Sequence, residues 1–237
     1  MAAQIGRKVA ITYYGHAAFK LSGQGVSLAI DPWLSNPLRT TPPGEVAPLD
    51  YILVTHGHGD HVGDTVPLAQ QTGATVVAIH ELSQILLGLG VPKVVGMNKG
   101  GSFTADGLTI TMTHAVHSST AEVEGQMVAA GDPVGFVVRF PDGFTVYHAG
   151  DTAVFRDMEL IRELYRPELV MLPIGSHYVM NPAEAAYACR LLMPRWVIPM
   201  HYGTFPVLTG TPEELAEHLK DLPDIRILPL KPGETVE

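Results

Sequence analysis

The chain has 237 residues, 46% of them hydrophobic and 16% charged, enough to bury a real core and too apolar for a disordered segment. Lys and Arg number 15 against 24 Asp and Glu, a formal net charge of −9, and no basic run stands out, which argues against a general nucleic-acid backbone binder. Cys189 is the only cysteine, so there is neither an intrachain disulfide framework nor a thiolate zinc cluster.

The opening "MAAQIGRKVAITYYGH" has no apolar run long enough for a secretory signal, and no stretch reaches the roughly 18 apolar residues of a membrane span. A cytoplasmic protein is the expectation. "VAITYYG", "AFKLSG" and "VSLAIDPW" are short β-branched or aromatic runs punctuated by Gly and Pro, the pattern of strands. A Pro-rich connection, residues 34–49, precedes the buried strand "YILVT". Then "TVPLAQQTG" reads as a helix, "ATVVAIH" as a strand, "ELSQILLGLG" as a helix closed by Gly90, and "KVVGM" as a strand.

The middle returns to strands with "LTITMTHAVH", "GFVVRFP" and "FTVYHAG". Residues 118–133, which contain Gly125 and Gly131, read as a polar loop between the first two. Long connections in compact domains are often functional, so this one and residues 34–49 are the expected shapers of substrate access, the later one as a lid. The last third alternates: helices in "AVFRDMELIRELY", "NPAEAAYACRLLM" and "TPEELAEHLKDL", strands in "LVMLPIG", "RWVIPMH" and "IRILPL". Asn181-Pro182 and Thr211-Pro212 each offer an N-cap followed by Pro at the first helical position. Two β-rich segments, each followed by strand–helix alternation, predict an α/β protein. Two mixed sheets pack face to face with helices outside, an αββα sandwich, in one domain over residues 1–237.

Directly behind "YILVT" the chain concentrates polarity: "THGHGDH" holds His56, His58, Asp60 and His61. His56 and His58 are two apart at a strand end, so extended backbone puts their rings on one side. Asp60 and His61 follow as the chain turns toward a helix and face elsewhere, while Gly57 and Gly59 keep the backbone thin. Imidazole with carboxylate suits zinc, iron, manganese or nickel.

"THGHGDH" matches the T-H-x-H-x-D-H signature of the metallo-β-lactamase superfamily, and the resemblance covers nearly the whole chain. It implies an αββα fold with two divalent metal ions at one edge. By the resemblance, His56, His58 and His117 (from "THAVHSS") bind one ion, while Asp60, His61 and His201 (from "IPMHYGTF") bind the other. Asp151 (from "VYHAGDT") bridges them. Such a pair, about 3.5–4 Å apart, shares a hydroxide that attacks the substrate, and Asp60 orients that water and shuttles its proton.

"YYGHAAF" and "PIGSHYVMNPAEAA" resemble one branch that includes L-ascorbate-6-phosphate lactonase and related hydrolases. There the late loop reaches over the metals, which makes His177 a candidate substrate contact beside His16 and Tyr202. His148 is expected to orient a ligand, His114 to pack or to support His117, and His80 and His218 to be ordinary surface or capping histidines. Asp31, in "AIDPW", either caps the Pro-rich turn or orients a ligand histidine.

A bridging aspartate with no cysteine at the second site sets the chain apart from antibiotic-hydrolysing members. It implies a hydrolase that cleaves a small phosphoester, a phosphodiester above all, or a lactone-type ester. The alternatives are an iron-dependent redox enzyme on the same ligands and a non-catalytic metal-binding member. A small-molecule substrate is the expected partner, with no nucleic acid and no membrane, and a homo-oligomer is left open.

Overall fold

The computed structural model describes residues 5–237. The chain begins with an antiparallel meander, β1 (Ala10–Gly15), β2 (Ala18–Gly23) and β3 (Val26–Ile30). The Pro-rich connection contributes only the single-turn α1 (Pro43–Val46). β4 (Tyr51–Leu53) then adds parallel to β3. α2 (Gly59–Val62) and α3 (Thr65–Thr72) lead to β5 (Thr75–Ile79), and α4 (His80–Gly88) leads to β6 (Val94–Met97), again in parallel.

The second half repeats that plan. β7 (Ser102–Ala105) and β8 (Leu108–His114) are antiparallel, and a separate hairpin follows, β9 (Thr120–Val123) with β10 (Gln126–Ala129). β11 (Val134–Arg139) and β12 (Thr145–His148) complete an antiparallel set. Helices α5 (Met158–Tyr165), α6 (Pro182–Leu192) and α7 (Pro212–His218) then alternate with the parallel strands β13 (Leu169–Pro173), β14 (Trp196–Met200) and β15 (Arg226–Ile227). β16 (Thr235–Val236) crosses back to pair with β1, giving two seven-stranded mixed sheets.

The alternation of side chains decides how the sheets stack. Ile11, Phe19, Leu28 and Ile52 of the first sheet share one buried cluster with Ile110, Phe136, Val146 and Trp196 of the second. The opposite face of the second sheet, Val137, Tyr147, Val170 and Val197, packs on Met158, Ile161, Ala185, Cys189 and Leu215 from α5, α6 and α7. β13 and β14 are buried along their whole length, which is why they read as unbroken apolar runs. This is the αββα sandwich of the metallo-β-lactamase fold.

Both Pro-led helices start where the sequence predicts. Asn181 accepts from the Glu184 amide and Thr211 from the Glu214 amide, each with the glutamate reaching back to close a capping box. Gly90, at φ 96°, follows α4 as expected.

Other elements depart from the sequence reading. Residues 118–133 are not a plain loop: β9 and β10 occupy half of them, joined by a two-residue turn at Glu124 and Gly125 with both φ positive (51° and 77°). That geometry suits the right-handed twist of a hairpin. The helix expected from Ala153 starts only at Met158, because residues 153–157 form a connection without regular structure apart from a terminal turn. "IRILPL" contributes a strand of two residues, Arg226–Ile227. Among the described residues, no helix is long and apolar enough to cross a membrane.

Candidate metal centre

One edge of the sandwich collects the polar side chains. His56, His58, Asp60 and His61 follow β4; Asp151 follows β12; His201 follows β14; His117 lies just past β8. In an open sheet the ends of parallel strands leave a crevice at their carboxyl edge, and here the edges of both sheets contribute to it. Backbone hydrogen bonds hold the edges together. The Val134 amide donates to the Thr55 carbonyl (3.0 Å) and the His201 amide to the His16 carbonyl (2.7 Å).

The seven residues expected from the sequence converge. His56 Nε2 and His58 Nδ1 lie 3.0 Å apart, and with His117 they offer three donor atoms all within 4.8 Å of one another. Asp60, His61 and His201 make a second group of the same compactness, which His16 joins. Asp151 lies between the two. Its Oδ2 is 3.0 Å from His201 Nε2, 3.4 Å from His61 Nε2 and 3.6 Å from His117 Nε2.

A cavity of about 310 Å³ opens onto these groups, lined by His58, Asp60, His117, Asp151 and His201 together with Ser118 and Tyr178. Gly57 lets the loop fit. A Cβ there would sit 2.6 Å from Ala130 Cβ and 2.7 Å from the Thr120 carbonyl, so the hairpin's base packs directly on the loop backbone. Gly59 has open space around it and needs no such thinness.

Several buried polar atoms here have no hydrogen-bond partner: His61 Nε2, Asp151 Oδ1 and both ring nitrogens of His201. Native interiors seldom leave such atoms unpaired, so the residues fit a bound cation. The electrostatics agree. Burial opposes ionisation of Asp151, but the imidazoles of His201 and His61 overcome it and hold its carboxyl well below the usual range. Burial disfavours a charged His61, yet Asp151 and Asp31 outweigh it and draw that ring well above the usual imidazole value. The pocket is built around positive charge.

Asp31 resolves the alternative left open by the sequence, because it supports histidines. Fully buried, it accepts from the Thr55 amide (2.8 Å), the Thr55 hydroxyl (2.7 Å) and His61 Nδ1 (2.7 Å). His56 Nδ1 in turn lies 3.0 Å from the Thr55 hydroxyl. One carboxylate therefore sets the ring orientation of an imidazole in each group, directly for His61 and through Thr55 for His56, the way carboxylates fix the tautomer of metal-binding histidines.

The remaining histidines separate by position. His16 is fully buried with Nε2 2.9 Å from Asp60 Oδ2, so it sits behind the carboxylate and away from the cavity. His148 touches none of the seven residues through hydrogen bonds. Its Nδ1 accepts from the Gly150 amide and its Nε2 donates to the Ala17 carbonyl, each at 3.1 Å. Its support for Asp151 thus runs through backbone alone. His114 is exposed at the end of β8, near Lys99, and His80 and His218 are exposed as expected. His177 is exposed and outside the cavity wall, which Tyr178 forms in this segment. Tyr202 lines a different depression with Tyr13, Leu38 and Leu230. Sequence reading did not single out Thr55, Thr204 or Tyr178. The tyrosine follows His177 in the very loop that the resemblance placed over the site; the two threonines carry no local signal.

The β-lactamase superfamily domain matches residues 27–202, a span that includes all seven converging residues. A relative from Rubrobacter xylanophilus named "UPF0173 metal-dependent hydrolase" is 52% identical, with 94% of each chain covered. A relative of the same description from Methanopyrus kandleri is 50% identical over 96% of this chain and 99% of its own. Among solved structures, Igni18, described as a novel metallo hydrolase from Ignicoccus hospitalis, superposes with a TM-score of 0.87 at 40% identity, covering 96% of this chain and 97% of that one. The chain belongs to the metallo-β-lactamase superfamily and, within it, to the metal-dependent hydrolases.

Proposed function

We propose that the chain is a single-domain, dinuclear hydrolase acting on small esters, with His56, His58 and His117 holding one divalent ion, Asp60, His61 and His201 a second, and Asp151 shared between them. The observation that carries this reading is the set of unpartnered buried atoms around Asp151, flanked on two sides by compact donor groups. Zinc or manganese bound there would lower the pKa of a water and draw charge from the attacked oxygen.

The protein's own groups do the rest. Asp60 reaches the cavity as a carboxylate. Burial works against its ionisation, but the hydrogen bond from His16 and the charge of His61 win, holding it below the usual carboxyl range. It therefore stays ionised and can accept a hydrogen bond from the attacking water and orient it. Tyr178 and Ser118 form the outer wall where the rest of the substrate must lie.

Charge narrows the substrate class. No Lys or Arg lines the cavity, and three carboxylates, Asp31, Asp60 and Asp151, stand at or just behind its floor. A phosphomonoester dianion would find no side-chain countercharge. Two divalent ions would be offset by these three carboxylates and a bound hydroxide, which leaves little net charge to hold a dianion. A neutral lactone-type ester or a singly charged phosphodiester fits better, and about 310 Å³ admits only a small molecule.

The test is chelation followed by reloading with Mn²⁺ or Zn²⁺ and assay against a neutral lactone, bis(p-nitrophenyl) phosphate and p-nitrophenyl phosphate. Turnover should require added metal, rank lactone, then diester, then monoester, and disappear in Asp60→Ala. Metal-independent turnover, or an Asp60→Ala enzyme of undiminished rate, would sink the mechanism. A preference for the monoester would sink the substrate class.

A further inference from the structure

We infer that Thr204 and His16 form a relay that positions Asp60 for the second ion, an inference that rests on the dinuclear reading above. His16 sits at the tip of the β1–β2 hairpin with φ 56° and no exposed surface. Its Nε2 is 2.9 Å from Asp60 Oδ2 and its Nδ1 is 2.9 Å from the Thr204 hydroxyl. Because Asp60 only accepts, Nε2 carries the proton; Nδ1 then accepts from the threonine.

Proximity alone would place His16 among the metal-binding groups, since its donor atom lies within 4.8 Å of those of Asp60, His61 and His201. Hydrogen bonding separates it from them. Both nitrogens of His16 are satisfied, whereas His61 and His201 each turn an unpartnered Nε2 toward the centre. The ring has little freedom to leave. Trp33 meets it edge-on at 5.2 Å, Phe205 at 5.9 Å, and the His201 ring lies 3.9 Å away.

The relay matters because Asp60 is the least constrained member of its group. Its side chain is 28% exposed, against 0% and 2% for His61 and His201. A carboxylate so open to water needs a fixed partner to stay in one rotamer. The bond from His16 fixes Oδ2, the oxygen that lies 3.9 Å from both His61 Nε2 and His201 Nε2. The same residue's carbonyl accepts from the His201 amide at 2.7 Å. A single hairpin tip therefore sets the carboxylate of Asp60 and the backbone of His201 together.

The experiment is a Co²⁺ titration of metal-free wild-type protein, His16→Asn, His16→Gln and Thr204→Val, followed by visible absorption and calorimetry. Asn tolerates the left-handed backbone but cannot reach Asp60, while Gln keeps a donor near the Nε2 position. Wild type should bind two equivalents. His16→Asn should hold the first as before and weaken the second about 10–100-fold, the usual cost of losing an outer partner. Thr204→Val should weaken the second equivalent less, and His16→Gln should restore part of it.

Unchanged affinity for both equivalents in His16→Asn and Thr204→Val would overturn the relay. So would equal weakening of both, which marks a merely structural role. Loss of the second equivalent in His16→Asn with none in Thr204→Val would overturn it too, making His16 a ligand. A wild-type protein that binds one equivalent would instead overturn the dinuclear reading, and the relay with it.

Discussion

Asp31 accepts three hydrogen bonds while exposing no surface, and two of them lead to imidazoles of different groups. Asp31→Asn keeps the volume but turns an NH₂ toward a donor, leaving a buried clash of two N–H or O–H groups. Metal titration should show both equivalents weakened, by about 10–100-fold, whereas Thr55→Val should weaken only the one that His56 serves. Burial, with a smaller push from the charge of His61, holds His148 below the usual imidazole pKa against the pull of Asp31 and the Ala17 carbonyl. The folded protein thus keeps this ring neutral where the unfolded chain takes up a proton, near pH 6.5. Its contribution is intact above that pH and falls as the pH drops below it, by at most about 1.4 kcal/mol per unit. In His148→Phe, urea midpoints at pH 8 and pH 5 should differ less than in the wild type. At this scale the sequence was most legible where residue type and spacing are themselves the chemistry, as in His56, His58, Asp60 and His61. It was least legible for Thr55 and Thr204, whose work depends on what lies across the fold.

The β9–β10 hairpin and the loop after β4 form one unit, with the Gly57 amide donating to the Ser119 hydroxyl at 3.1 Å and no room for a side chain between them. Gly57→Ala should therefore force the hairpin base away. We expect a loss of roughly 1–3 kcal/mol, as for other overpacked sites, together with weaker binding at the His56–His58–His117 group. Thermal melts with and without metal check both. Gly59→Ala, with open space around its Cβ position, should do neither. The hairpin escaped the sequence reading because its strands, "TAEV" and "QMVA", are short and bury only Ala121, so burial imposes little alternation on them. The turn residues Glu124-Gly125 were the available signal. Helices α6 and α7 were legible because their caps are local chemistry. The late start of α5 was not, because residues 153–157 follow tertiary contacts, such as the Ala153 amide donating to the Val116 carbonyl.

At the scale of the molecule, the duplicated plan of meander followed by parallel strands made the sandwich readable from element order alone. The pairing of β16 with β1 was not, because two residues at the far end of the chain carry no pattern. Each donor group takes two members from the first sheet's loops and one from the second's, and Asp151 also comes from the second. Cutting the chain between residues 99 and 100, in the turn closed by the Gly101 amide on the Asn98 carbonyl, would give one fragment with four of the seven residues and another with three. Neither could close a site by itself. Since a ligand that binds only the assembled form stabilises it in proportion to the logarithm of its concentration over its Kd, about 4 kcal/mol at a thousandfold excess, the fragments should associate tightly with Zn²⁺ or Mn²⁺ present and come apart on chelation. Association that ignores chelator would show that the apolar seam suffices. Metal-gated association would make the two halves a reversible, ion-triggered switch.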